Sequence, residues 1–129
     1  FVICPPSGYE PNGAIWAASE KAGAKILLER DPAKAVAGAD IVYTDVWASM
    51  GQEKEREERL KVFGPFQVNG RLMTKAKRGA KVMHCLPAHR GEEATDEVLD
   101  GPASIIFDQA ENRLHVQKGV MSLLMGARR

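Results

Sequence analysis

Two short stretches of this sequence carry side chains that could do chemistry. The first is Asp45-Val46-Trp47-Ala48-Ser49-Met50-Gly51, which sets an acid a few residues before a serine and a glycine. An acid so placed could hold a cationic amine, or it could cap backbone amides in a turn, and the residue types leave both open. The second is His84-Cys85-Leu86-Pro87, which offers an imidazole beside a thiol. A core histidine and an inert buried cysteine are commoner outcomes for such a pair than metal ligands.

Several chemistries fit these residues poorly. His84, Cys85, His89 and Cys4 could be gathered around zinc, but neighbouring residues on a strand point to opposite faces, so a site using 84 and 85 together has the wrong spacing. The same alternation keeps His84 from serving Cys85 as the base of a cysteine hydrolase. Neither a G-x-G-x-x-G turn nor a G-x-x-x-x-G-K-[ST] loop occurs, so dinucleotide and P-loop readings lack their phosphate cradle. No metal and no cofactor is expected.

The surrounding pattern alternates strand and helix. Residues 1–4 form an apolar run ended by Pro5-Pro6-Ser7-Gly8, a strand and a turn. Pro11 suits a first helical turn, after which Ile15, Ala18 and Ala22 share one face, with Gly23 as a stop. Residues 25–29 (KILLE) read as a second strand. Asp31-Pro32 reads as a cap and first position of a short helix over 32–37. Residues 40–44 (DIVYT) make a third strand that delivers Asp45. The charged segment 52–61, with Glu55/Arg59 and Glu57/Lys61 four apart, is the solvated face of an exposed helix. A turn at Asn69-Gly70, a helix over 71–77 and a fourth strand over 81–85 (KVMHC) follow. Thr95 can cap a short helix through Leu99, and 104–107 reads as a fifth strand. In the last helix Val116, Val120, Leu123 and Leu124 form an apolar stripe expected to pack into a core.

Strands separated by helices imply βαβ units, hence an α/β fold with a doubly wound, mostly parallel Rossmann-like sheet and helices on both faces. In such sheets ligands bind beyond the carboxyl ends of the strands, where both chemistry-bearing stretches fall. The chain of 129 residues allows one domain, spanning residues 1–129, with a real core. Apolar residues at 44% and charged residues at 27% are those of an ordinary globular protein. A formal charge of +1, with basic residues scattered among acidic ones, gives no nucleic-acid footprint. No apolar run approaches the roughly 18–20 residues that span a bilayer, so no membrane partner is expected. Two cysteines make no disulfide framework, no signal segment opens the chain, and a cytoplasmic setting is the expectation. The chain opens without Met in what reads as a strand already under way, which suggests a trimmed chain.

Taken together, D-V-W-A-S-M-G at 45–51 and H-C-L-P at 84–87 resemble the signature segments of the ornithine-binding domain of ornithine carbamoyltransferases, within the aspartate/ornithine carbamoyltransferase family. Glu111-Asn112-Arg113 and the PPSGYEP segment at 5–11 match as well, and the resemblance runs through the whole chain in order. H-C-L-P is shared by several carbamoyltransferases, whereas the Ser49-Met50-Gly51 segment points to ornithine.

The resemblance implies a transferase that moves the carbamoyl group of carbamoyl phosphate to the δ-amine of ornithine, giving citrulline and phosphate. Asp45 resembles the acid that binds the α-ammonium, and Ser49 and Met50 the residues that close over the amino acid. Cys85 resembles the thiol beside the reacting amine, and Leu86 the residue whose carbonyl faces the carbamoyl NH₂. Arg113 resembles the arginine that contacts carbamoyl phosphate and steadies charge on the carbonyl oxygen, and His84 takes a supporting role. The two small-molecule substrates are the implied partners, and the family implies a homotrimer assembled mainly through another domain. The rival readings are a carbamoyltransferase for putrescine or an acylated ornithine, which Asp45 with Ser49-Met50 disfavours, and a non-catalytic binding or oligomerisation module.

Two family features are absent from the 129 residues. The carbamoyl-phosphate-binding domain with its Ser-Thr-Arg-Thr loop is missing, so this chain alone is expected to be inactive. The first strand of the ornithine domain, with its Gly-Asp-Gly-Asn-Asn turn, is missing too. That strand lies centrally in a doubly wound sheet, here between residues 1–4 and 40–44. Its absence would leave two unpaired strand edges, which a partner chain is expected to fill or which the halves close by sliding together, with any self-association using a surface other than the family's.

Overall fold

The computed structural model describes residues 1–48 and 55–126. In chain order the elements are β1 (Val2–Ile3), α1 (Gly13–Lys21), β2 (Leu27–Leu28), α2 (Pro32–Ala35), β3 (Ile41–Thr44), α3 (Arg56–Phe63), a 3-10 turn (Gly64–Phe66), α4 (Gly70–Met73), β4 (Lys81–His84), α5 (Asp96–Leu99) and α6 (Ile106–Met125). The expected α/β alternation is present, and every strand pairing is parallel. Ser49 and Met50 lie outside the described residues.

Helix starts follow from local chemistry. Asn12 accepts from the N–H groups of Ala14 and Ile15, and Asp31 from that of Ala33, each supplying an acceptor to donors that a first turn leaves unpaired. Pro32 occupies the first turn of α2, where its missing N–H costs nothing. Asn69 caps α4 by accepting from Leu72 N–H at 3.0 Å. That helix stops at Met73, short of the expected 77, and the chain turns back through Gly79 at φ +85°, a conformation that suits glycine.

The strands form two separate parallel pairs, β1 with β2 and β3 with β4. A cavity of about 830 Å³ lies between β1 and β3, lined by Val2, Ile3, Ile41, Val42, Trp47 and Phe63 among others. This is where the resemblance places an additional central strand, and the two halves have not slid together. The core lies on one side of that slot. Val36, Val42, Val68, Val82, Ala94, Val98, Leu99 and Ile106 pack as one buried cluster around β3, β4 and α5.

Two expectations are corrected, and the apolar face of α1 proves open. Residues 104–107 are not a strand: a single bridge links Ser104 to Val82, through Val82 N–H to Ala103 and Ile105 N–H to Val82, and the chain then enters α6 at Ile106. The α1 face of Ile15, Ala18 and Ala22 is exposed, because no residue of α1 reaches the core. The α6 stripe is exposed as well, with Val116 at 64% and Leu123 at 85%. A 20-residue helix is about 30 Å long, and only its first turn, at Ile106, meets the buried cluster.

The charged segment before Phe63 does more than face solvent. Arg59 pairs with Glu55 at 3.0 Å, as the four-residue spacing predicts, and also donates to the Trp47 carbonyl at 3.1 Å. Its guanidinium stands 5.2 Å from the centroid of the Tyr9 ring, and Phe63 packs edge-on against Tyr9 and beside Trp47. Thus α3 braces the loop that leaves β3.

The position of the core yields a contrast in stability. In this chain Leu99→Ala, at a wholly buried site, should cost about 2–5 kcal/mol, whereas Leu123→Ala should stay within about 0.5 kcal/mol. Urea denaturation of both variants reads the difference, and equal losses would mean that the α6 stripe is packed in solution.

Candidate active site

β3 and β4 run in register, with Val42 opposite Val82 and Thr44 opposite His84. Because side chains alternate along a strand, Val42, Val82 and His84 turn to the buried face while Tyr43, Asp45 and Cys85 turn to the other. One residue past the last paired position, Asp45 and Cys85 leave the sheet side by side at its carboxyl edge. The Cys85 thiol donates to Asp45 Oδ1 at 2.9 Å, and Asp45 also accepts from the N–H of Val46 at 2.7 Å. Asp45 thus meets the backbone only at its neighbour Val46 and presents its carboxylate at the strand ends.

Burial pushes the Cys85 thiol above its ordinary range, and the hydrogen bond to Asp45 raises it further. A thiol held in this way is a neutral donor, not a thiolate nucleophile. Tyr43, two residues before Asp45, has its hydroxyl raised by burial first and then by Cys85. Cys4, far from this edge in the sequence, is pushed up to about 11 by burial and by Glu29.

His84 is wholly buried and engages both ring nitrogens, Nδ1 accepting from Leu86 N–H at 2.8 Å and Nε2 meeting Glu93 Oε1 at 3.0 Å. Neither nitrogen is left for Cys85 or for a metal ion, so the arrangement is not that of a hydrolase pair. Its main-chain N–H donates to Gln109 Oε1 at 3.0 Å, which ties the end of β4 to α6. Arg113 lies one turn beyond Gln109 on the same helical face, about 6 Å further along the axis and exposed. It makes no hydrogen bond or ion pair among the described residues. Leu86 follows with φ of +55° and a cis peptide bond to Pro87.

The structure thus brings together Asp45, Cys85, His84 and Leu86, and sets Arg113 apart on α6. Reasoning from the sequence missed Tyr43, Glu93 and Gln109. Tyr43 was within reach, since it shares the alternating face of Asp45. Glu93 and Gln109 depend on long-range packing, which adjacent identical residues such as Glu92 and Glu93 do not signal.

The sequence profile of the aspartate/ornithine carbamoyltransferase Asp/Orn-binding domain matches residues 1–124. Ornithine carbamoyltransferase of Thermococcus kodakarensis is 59% identical over 97% of this chain and 41% of its own length. That of Archaeoglobus fulgidus is 57% identical over 98% of this chain and, again, 41% of its own length. Among solved structures, ornithine carbamoyltransferase from Pyrococcus furiosus superposes with a TM-score of 0.88 at 54% identity, covering 99% of this chain and 42% of that one. The anabolic ornithine carbamoyltransferase of Campylobacter jejuni gives 0.89 at 37% identity, covering 99% and 44%. This chain spans about two fifths of the curated relatives it matches.

The thiol–carboxylate contact is open to a direct test. Iodoacetamide should modify exposed Cys85 before Cys4, because the Cys4 thiol is held higher and is less accessible. In Asp45→Asn the carboxylate charge that opposes thiolate formation is gone, so the Cys85 alkylation profile should move to lower pH. Mass spectrometry across a pH series resolves both cysteines, and a profile unmoved by the substitution would show that the contact is not made in solution.

Proposed function

This chain belongs to the aspartate/ornithine carbamoyltransferase family, and from that premise we propose that it is the amino-acid-binding part of an ornithine carbamoyltransferase. The whole protein would transfer the carbamoyl group of carbamoyl phosphate to the δ-amine of ornithine, releasing citrulline and phosphate. The observation that carries this reading is the Cys85–Asp45 contact at the shared carboxyl edge of β3 and β4. It sets a carboxylate able to hold an ammonium beside a neutral thiol able to meet an amine.

In this reading Asp45 binds the α-ammonium of ornithine, and Ser49 and Met50 close over the amino acid. Cys85 sits beside the δ-amine, which must lose a proton before its lone pair can attack the carbamoyl carbon. A C–N bond forms, negative charge gathers on the carbonyl oxygen, and the C–O bond to phosphate then breaks. Arg113 steadies that oxygen, a role in which one oriented donor contributes on the order of 3 kcal/mol. Leu86 offers its carbonyl to the carbamoyl NH₂, and His84 supports the loop. Holding two substrates in line contributes more, about 7–11 kcal/mol in favourable cases. None of these steps calls for a metal or cofactor.

The donors for the phosphate of carbamoyl phosphate belong to the remaining three fifths of the protein, in a separate domain. We infer a homotrimer assembled through that domain, a cytoplasmic setting consistent with two free cysteines, and no nucleic-acid or membrane partner. Among the described residues no helix is long and apolar enough to cross a membrane.

Full-length protein given carbamoyl phosphate should make citrulline from ornithine and give no comparable product from putrescine or N-acetylornithine, which lack a free α-ammonium. Equal turnover of putrescine would overturn the assignment. The 129-residue chain alone should form no citrulline above the uncatalysed rate.

Asp45→Asn in the full-length protein should raise KM for ornithine by about 10- to 100-fold, the loss of a charge-assisted hydrogen bond of roughly 1.5–3 kcal/mol. KM for carbamoyl phosphate should change little. Steady-state kinetics in both substrates separates this from a structural role, which would affect the two alike.

A further inference from the structure

We propose that Glu93 is a positioning residue of this site, which fixes the tautomer of His84 and through it the backbone of Leu86. The inference rests on the reading of Leu86 as the residue that faces the carbamoyl group, and it adds a residue to which that reading gives no part.

The argument starts from burial. His84 and Glu93 are both fully enclosed, so each polar atom must find its partner within the protein. Leu86 N–H points at His84 Nδ1 from 2.8 Å, and an N–H donor can only be met by a nitrogen bearing a lone pair. The ring proton therefore sits on Nε2, where it is donated to Glu93 Oε1 at 3.0 Å. That same oxygen accepts the N–H of His89 at 2.7 Å. One carboxylate oxygen thus pins both ends of the loop: directly at His89, and through the imidazole at Leu86. Between these points Pro87 has no N–H to contribute. The other oxygen of Glu93, Oε2, is buried without a hydrogen-bond partner among the described residues.

Leu86 needs such a hold. Its φ of +55° lies in the left-handed region, which a leucine avoids because its Cβ crowds the following carbonyl. The bond from Leu86 N–H to the ring fixes the peptide plane that precedes this conformation, and the left-handed turn sets where the Leu86 carbonyl points. If the ring proton moved to Nδ1, it would face the Leu86 N–H donor to donor, and the turn would lose its anchor. Glu93 prevents this by offering an acceptor only at Nε2. Its role differs from that of a relay to Cys85, since both ring nitrogens of His84 are already engaged.

The test uses the full-length protein with E93A and E93Q. Glutamine can keep an acceptor at Oε1 for both donors, whereas alanine removes it. E93A is expected to lower kcat roughly 10- to 100-fold, by analogy with the loss when the carboxylate that orients a metal-ligating histidine is removed, with KM for ornithine little changed because Asp45 is untouched. E93Q should recover part of that loss. Nitrogen-15 NMR of histidine-labelled protein gives a readout independent of turnover: His84 should show a bare Nδ1 in wild type and in E93Q, and lose that signature in E93A. A wild-type His84 protonated at Nδ1 would overturn the proposal, as would E93A with unchanged kcat and tautomer. If E93A does not fold, E93Q decides: a retained tautomer with kcat clearly above that of His84→Asn supports the proposal, and a retained tautomer with kcat no better than that variant overturns it. Failure of wild type to make citrulline would instead sink the functional reading while leaving the tautomer measurement to stand or fall by itself.

Discussion

The in-register parallel pairing of β3 with β4 is the constraint on which the rest of this structure depends. It fixes, residue by residue, which side chains enter the core and which leave the sheet together at its carboxyl edge. A slip of one residue in β4 would send Val82 and His84 to the open face and separate Cys85 from Asp45. The buried cluster built on Val42 and Val82 opposes that slip, so the same contacts that stabilise the fold also hold the thiol against the carboxylate. Packing and chemistry are set here by one pairing, read on its two faces.

The two faces solve different electrostatic problems. On the exposed face Asp45 remains near water, and its neighbour is a thiol whose deprotonation burial and the carboxylate both oppose. On the buried face His84 and Glu93 are removed from water altogether, and enclosure is tolerated because nearly every donor and acceptor is matched. The exception is the second oxygen of Glu93, which has no partner among the described residues.

Much of this could be read from the residues. Asp31 with Pro32 and the runs DIVYT and KVMHC each combine propensity with a boundary signal, and each forms the element expected, whereas Asn69, read as part of a turn, caps a helix that is shorter than expected. Asp45 and the motif at 84–87 pointed to the candidate site because they stand at the carboxyl ends of β3 and β4. What stayed hidden depends on what each element is packed against. The apolar stripe of α6 has the periodicity of a core helix, and periodicity reports that a face is apolar but not what covers it. The same holds for Ile15 on α1. Residues 104–107 have strand composition, yet a long helix begins inside them and leaves room for one bridge. A buried glutamate is still harder to foresee, since Glu92 and Glu93 are identical in type and only the second is enclosed.

The slot between β1 and β3 divides the chain in a further respect. Every residue of the buried cluster lies in or after α2, while β1, α1 and β2 contribute none. Local opening costs little where few apolar contacts must be broken, and it approaches the cost of global unfolding where the core itself must part. The first 28 residues are therefore a weakly coupled unit, and the backbone amides of β3 and β4 belong to a second, slower one. Amide hydrogens of Leu27 and Glu29, bonded across the β1–β2 pair, would trade with solvent long before that of Val82. Within a single short chain, the memory of the folded state resides in its later three quarters.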